Sequence, residues 1–196
     1  MTLSEIEEKL QKILPARRFH HTQGVMYTSA CLAMRWGEDM EKALYAGLLH
    51  DCAKYLKKKE LYNECVRYGL PISKAEEADP SLLHGKVGAY YAEHIYGVTD
   101  PDILGAITYH TTGKPAMSLL EKIVFTADYI EPSRNQVQDL PQIRQLAFTD
   151  LDRAVLTILQ QTLAYIRGNN QIIDDTTEIT CQYYYDLLNG GDANGS

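Results

Sequence analysis

The chain has 196 residues, 45% of them hydrophobic, which suits one domain with a substantial core and excludes wholesale disorder. Its formal net charge is −7, which excludes a general nucleic-acid-binding role unless the basic residues are sharply segregated. The only basic run, Lys57 to Lys59, suits a solvated turn or helix end, and Cys31, Cys52, Cys65 and Cys181 lack the CxxC spacing of a structural zinc site.

Helical periodicity dominates the chain. Leu3, Ile6, Leu10, Ile13 and Leu14 predict a first amphipathic helix, ended by Pro15. A second runs from about Arg17 to Trp36, with Gly37 as its stop, and a third starts near Asp39 and carries Ala43, Leu44, Gly47 and Leu48 into His50-Asp51. Lys58 to Tyr68 forms a short helix ended by Gly69 and Pro71. Ser73 to Leu83 holds short helical turns, and Gly85 to Tyr96 is helical, with Gly88 permitting close packing.

Asp100-Pro101 opens a helix to about His110, with a capping residue followed by proline at the first helical position. Thr111 to Pro115 is a loop. Ser118 and Glu121 form a capping box for a helix reaching Ile130, which Glu131-Pro132 breaks, leaving Arg134 in the following turn. Thr149 to Arg167 and Thr177 to Leu188 supply the last two helices. The expected architecture is a single all-α domain over 1–188, its core about 16–170, with a flexible Gly/Asn/Ser-rich tail at 189–196. With no secretory or membrane-spanning run and a free-thiol cysteine pattern, the expected location is cytoplasmic, without a membrane partner.

Six polar residues interrupt the apolar stripes: His21, His50, Asp51, His84, His110 and Asp128. His21 shares a face with Val25, Thr28 and Leu32. His110 follows Ile103, Ala106 and Ile107, and Asp128 follows Val124 and Phe125. A single inward histidine is more often a hydrogen-bonded core residue than a ligand. Six inward polar groups would each cost roughly 2–7 kcal/mol if left unpaired, and a shared metal centre would satisfy them together. Histidine and carboxylate are the donors that borderline divalent metals prefer. His20 and His94 fall outside this set.

The ordered residues resemble the HD superfamily of metal-dependent phosphohydrolases, an all-α helical bundle whose pattern is a histidine, a His-Asp pair and a distant aspartate. Here these are His21, His50-Asp51 and Asp128, and His84 with His110 occupies the places of two further histidines in two-metal members. The flanking residues Arg18-Phe19-His20-His21-Thr22, His50-Asp51-Cys52-Ala53-Lys54, Leu83-His84-Gly85, Tyr109 to Gly113 and Ala127 to Pro132 are similar to a bacterial branch that cleaves diadenosine tetraphosphate symmetrically into two ADP. The likeness covers about residues 10 to 170, and His20 departs from that branch's pattern.

The resemblance implies a binuclear centre. Asp51 would bridge two divalent ions, with His21, His50 and Asp128 on one and His84 and His110 on the other. A metal-activated hydroxide would then attack the tetraphosphate. The resemblance points to iron, with manganese or cobalt as alternatives. Asp51 and Lys54 are the expected catalytic residues. Arg18, Lys54 and Arg134 are expected on substrate phosphates, with Thr111 and Lys114 as weaker candidates. The expected partners are a dinucleoside polyphosphate, ADP or GDP as a product-like ligand, no nucleic acid, and a homodimer. Three alternatives stand beside this reading: another HD nucleotide phosphohydrolase (for monoesters, deoxynucleoside triphosphates or cyclic dinucleotides), a non-catalytic nucleotide-sensing module, or a structural metal site.

Overall fold

The computed structural model describes residues 1–135 and 139–190, which form eleven α-helices and one 3₁₀ turn; no strand occurs among the described residues. The helices are α1 (Leu3–Ile13), α2 (Ala16–Trp36), α3 (Met40–Leu49), α4 (Lys58–Tyr68), α5 (Lys74–Ala78), α6 (His84–His94), α7 (Pro101–Tyr109), α8 (Leu119–Ile130), α9 (Leu140–Thr149), α10 (Leu151–Gly168) and α11 (Asp175–Asn189). The 3₁₀ turn, Pro80–Leu83, leads directly into α6.

Capping chemistry explains many of these boundaries. Ser118 and Glu121 make the reciprocal capping box of α8, and Asp100 accepts from the Asp102 N–H ahead of Pro101 in α7. Gly37 and Gly69 end α2 and α4 in the left-handed conformation that glycine adopts without penalty.

The bundle centre is built by α2, α3, α7 and α8, with α6 packed on α7 and α4. A second group, α9, α10 and α11, covers the far side through α8. One core cluster runs from Ile6 through Leu32, Leu48, Ile107, Ile123 and Ile158 to Tyr184. Two close approaches bring the central helices together. A Cβ at Gly47 would meet the Met26 backbone at 2.8 Å, and one at Gly85 would meet the Thr108 carbonyl oxygen at 2.7 Å. These glycines, more than Gly88, permit the tightest packing, since a Cβ there would meet nothing nearer than 3.4 Å.

Several boundaries differ from the expectations, three of them near the site or at the ends of the last helices. The third helix ends at Leu49, so His50 is its cap and Asp51 lies in the turns that follow. Residues 140–149 form α9, opened by Pro141 in its first turn, and Asp150 separates it from α10 with an extended backbone while accepting from the Arg153 N–H. The last helix continues through Asn189 to a cap at Gly190, so the expected tail does not begin at 189; residues 191–196 lie outside those described. No described helix is long and apolar enough to cross a membrane.

Candidate metal centre

Four helix ends and the interior of one long helix deliver the six polar residues to a single point. His50 and Asp51 follow α3, His84 opens α6, His110 caps α7, Asp128 lies in the last turn of α8, and His21 sits inside α2. Five of the six are buried. Asp128 departs from the inward expectation in degree: it is half-buried.

Each histidine ring is oriented through Nδ1. His50 donates to the Gly47 carbonyl at 2.7 Å, His84 to that of Ser81 at 2.6 Å, and His110 to that of Ile107 at 2.7 Å. A carbonyl only accepts, so the proton is on Nδ1 and the Nε2 lone pair faces the cluster. Burial pushes His50 down to about 4 and His84 down to about 3, so both rings are neutral near pH 7. His21 has a carboxylate acceptor instead, its Nδ1 lying 2.9 Å from Glu131 Oε1, and against the opposing effect of burial Asp128 and Glu131 raise its pKa.

The donor atoms fall into two lobes around Asp51. Its Oδ1 lies 3.4 Å from His84 Nε2 and 3.6 Å from His110 Nε2, while Oδ2 lies 3.7 Å from His50 Nε2. Asp128 Oδ1 is 3.0 Å from His21 Nε2 and 3.9 Å from His50 Nε2. Burial opposes ionisation of Asp51, but His50, His110, Lys54 and His84 hold its carboxyl well below the usual carboxylate range. Asp128 is likewise held down against burial by His21, His50 and Arg134.

The buried His21 Nε2, His50 Nε2 and Asp51 Oδ1 have no aligned hydrogen-bond partner, although Asp128 is close to the first of them. Leaving such groups unsatisfied is costly, and imidazole nitrogen with carboxylate oxygen is a set that divalent cations accept. Three overlapping groups have donor atoms within 4.8 Å of one another: His21, His50 and Asp51; His50, His110 and Asp128; Asp51, His84 and His110. The residues therefore fit divalent metal binding.

Three expected cations stand at the cluster. Arg18 Nη1 lies 2.8 Å from Asp51 Oδ2, and Arg134 Nη2 lies 2.8 Å from Asp128 Oδ1. Lys54 Nζ is 2.9 Å from His84 Nε2 and 3.7 Å from Asp51 Oδ1, and burial lowers its pKa. Thr111 Oγ1 is 3.2 Å from His84 Nε2. Lys114 stands apart from the cluster, its ammonium 2.8 Å from Glu121 Oε1 and over the Tyr109 ring. The turn bonds of the 111–115 loop direct it there: Gly113 N–H returns to the Tyr109 carbonyl.

A cavity of about 750 Å³ opens beside His21 and Lys54, lined also by Arg17, Arg18, His20, Arg134 and Asn135. Arg17, Glu131, Ser133 and Asn135 carried no expected role. Glu131 and Ser133 flank Pro132 directly after the Asp128 helix, and Glu131 also lies in the Ala127 to Pro132 segment that carries the family likeness, which are the signals that could have drawn attention to them. Tyr129, next to Asp128, donates its hydroxyl to Gln161 Oε1. His94 is exposed and stacks on Tyr90, in line with its exclusion from the set.

Residues 18–133 match the HD domain. The chain is 41% identical to the symmetrical bis(5'-nucleosyl)-tetraphosphatase of Bacillus subtilis, over 85% of this chain and 89% of that one. It is 33% identical to the enzyme of the same name from Staphylococcus aureus, over 94% and 95%. A Clostridium acetobutylicum crystal structure, described as an HD superfamily hydrolase involved in NAD metabolism, superposes with a TM-score of 0.92 at 36% identity, covering 95% of this chain and 98% of that one.

Proposed function

The chain belongs to the HD-domain family, and from that premise we propose that it hydrolyses diadenosine tetraphosphate and related dinucleoside polyphosphates symmetrically, releasing two nucleoside diphosphates. The observation that carries this reading is the two-lobed donor set around Asp51 with Arg18, Lys54 and Arg134 at its mouth, in a chain whose relatives are named for that reaction.

We assign His21, His50, Asp51 and Asp128 to one divalent ion and Asp51, His84 and His110 to the other. Iron is our assignment for both, supported by the nitrogen- and oxygen-rich donors and the HD resemblance; manganese and cobalt suit the same donors. Bound there, such ions supply Lewis acidity and a lowered pKa for a coordinated water. The fixed Nδ1–H bonds of the histidines keep their Nε2 atoms aimed at one point, so little reorganisation is needed on binding.

Arg18 and Arg134 present guanidinium groups that can each take phosphate oxygens in a forked geometry, while Lys54 adds a point charge deeper in the cleft. Arg17 lines the same cavity and extends the cationic wall outward, with His20 beside it. A polyphosphate lying along this wall places an inner phosphorus at the cluster. Water adds to that phosphorus, and the central bridging oxygen leaves with the second nucleoside diphosphate. Loss of the water's proton balances the products as two ADP.

We also assign residues 1–188 to one functional unit, supported by a core reaching from Ile6 to Tyr184. A cytoplasmic location is supported by four unpaired cysteines. Metal-loaded protein tested against dinucleoside tetraphosphates, phosphomonoesters, deoxynucleoside triphosphates and cyclic dinucleotides should turn over the first class fastest. A clear preference for any other class overturns the substrate reading while leaving the phosphohydrolase fold intact. Tight nucleotide binding with no hydrolysis under any metal would favour a sensing module.

A further inference from the structure

Three of the four clustered histidines share one orienting device, and His21 does not. His50 and His110 sit at helix ends, and His84 follows a 3₁₀ turn, so each finds a backbone carbonyl three residues back that its Nδ1–H can use. His21 lies in the interior of the 21-residue helix α2, where the neighbouring carbonyls are committed to helical hydrogen bonds. Its orientation therefore needs an acceptor from another element.

We propose that Glu131 is that acceptor and serves as the positioning residue for His21, acting through its Nδ1–H to hold Nε2 toward the first ion. The inference rests on the two-ion reading of the site. Glu131 is 1% exposed, follows α8 immediately, and places Oε1 2.9 Å from His21 Nδ1. Its carboxylate is itself fixed: the Ser133 hydroxyl donates to Oε1 and the Ser133 N–H to Oε2 at 2.7 Å.

Two more residues complete the device. Gly24, one turn after His21 on the same helix, makes room for the carboxylate, since a Cβ there would lie 2.5 Å from Glu131 Oε2. Arg144, on α9, donates to the carbonyls of Ile130, Glu131 and Arg134 at 2.9, 2.9 and 3.1 Å. It thereby fastens the turn that carries Glu131 and Arg134. A helix absent from the sequence expectations thus holds one wall of the site.

Zinc binding to the full chain tests this, read by calorimetric titration and by nitrogen-15 NMR of the histidine rings, neither of which depends on turnover. Wild type should bind two zinc ions, with His21 protonated on Nδ1. Glu131→Ala should weaken one of the two ions by about ten- to a hundredfold, leave the other within about twofold, and shift the His21 ring signals. Glu131→Gln, which keeps an acceptor facing the ring, should recover part of that loss. Gly24→Ala should reproduce the Glu131→Ala pattern by displacing the carboxylate, which keeps the test valid if Glu131→Ala folds poorly. Unchanged binding of both ions and unchanged His21 signals in the Glu131→Ala and Gly24→Ala proteins, against a two-zinc wild type, overturns the inference alone. A wild type that binds no zinc overturns the two-ion reading and the inference with it.

Discussion

Gly85→Ala should damage the second lobe of the candidate metal centre without removing a proposed ligand. Gly85 follows His84, and its missing side chain lets α6 approach the α7 backbone. An added Cβ would lie 2.7 Å from the Thr108 carbonyl oxygen and 3.3 Å from that of Ile107. The latter is the carbonyl that holds His110 Nδ1 at 2.7 Å, so the clash strikes both histidines of the lobe. Ordinary contact begins at 3.4 Å, and 3.4 minus 2.7 requires the helices to part by about 0.7 Å. The obstacle is helical backbone and cannot rotate aside. Overpacking of this kind costs about 1–3 kcal/mol, and each kcal/mol lowers Tm by about 2–4 °C at this chain length. A misplacement near 1 Å can cost about 100-fold in rate. Thermal unfolding, metal content and turnover of diadenosine tetraphosphate measure the three effects. Gly168→Ala is the control: a Cβ there meets nothing within 4 Å, so Tm should hold or rise slightly and turnover should not change. A Gly85→Ala protein with wild-type Tm, two ions and full turnover would refute the close-packing reasoning.

Asp51→Ala should lose more turnover than Lys54→Ala, because Asp51 faces both lobes while Lys54 supplies one charge; about a 100- to 1,000-fold loss is expected for Lys54→Ala. Near-normal turnover by Asp51→Ala sinks the bridging role. His84→Ala should retain the helical circular-dichroism spectrum and one ion while losing activity, whereas global unfolding would favour a structural metal site. Arg18→Met and Arg134→Met should raise KM for the tetraphosphate at least about tenfold, the expectation for losing one charge-assisted contact. An unchanged KM in both removes them from the phosphate path.

His21, His50, Asp51, His110 and Asp128 were legible because each shares an apolar stripe of helical period, whereas His84 was legible through the family pattern, and five of the six are buried. The helices that carry them were legible from caps such as Ser118-Glu121 and Asp100-Pro101. What the chain order could not convey was which remote group completes each side chain. Glu131 reads locally as a helix breaker beside Pro132, and its bond to His21 spans 110 positions. Arg144 lies on α9, which only the single-residue junction at Asp150 separates from α10, so that chain order alone does not set the two helices apart. Lys114 shows the same limit: its nearness to His110 in sequence says nothing of Glu121, which faces it from α8.

Metal content and products measured on one sample, purified under low oxygen, test the central claim most directly. A two-ion centre in a symmetrical hydrolase predicts two divalent ions per chain and ADP as the sole product from diadenosine tetraphosphate, with turnover lost on chelation and restored on reloading. Full turnover after complete metal removal, or release of AMP together with ATP, would contradict it.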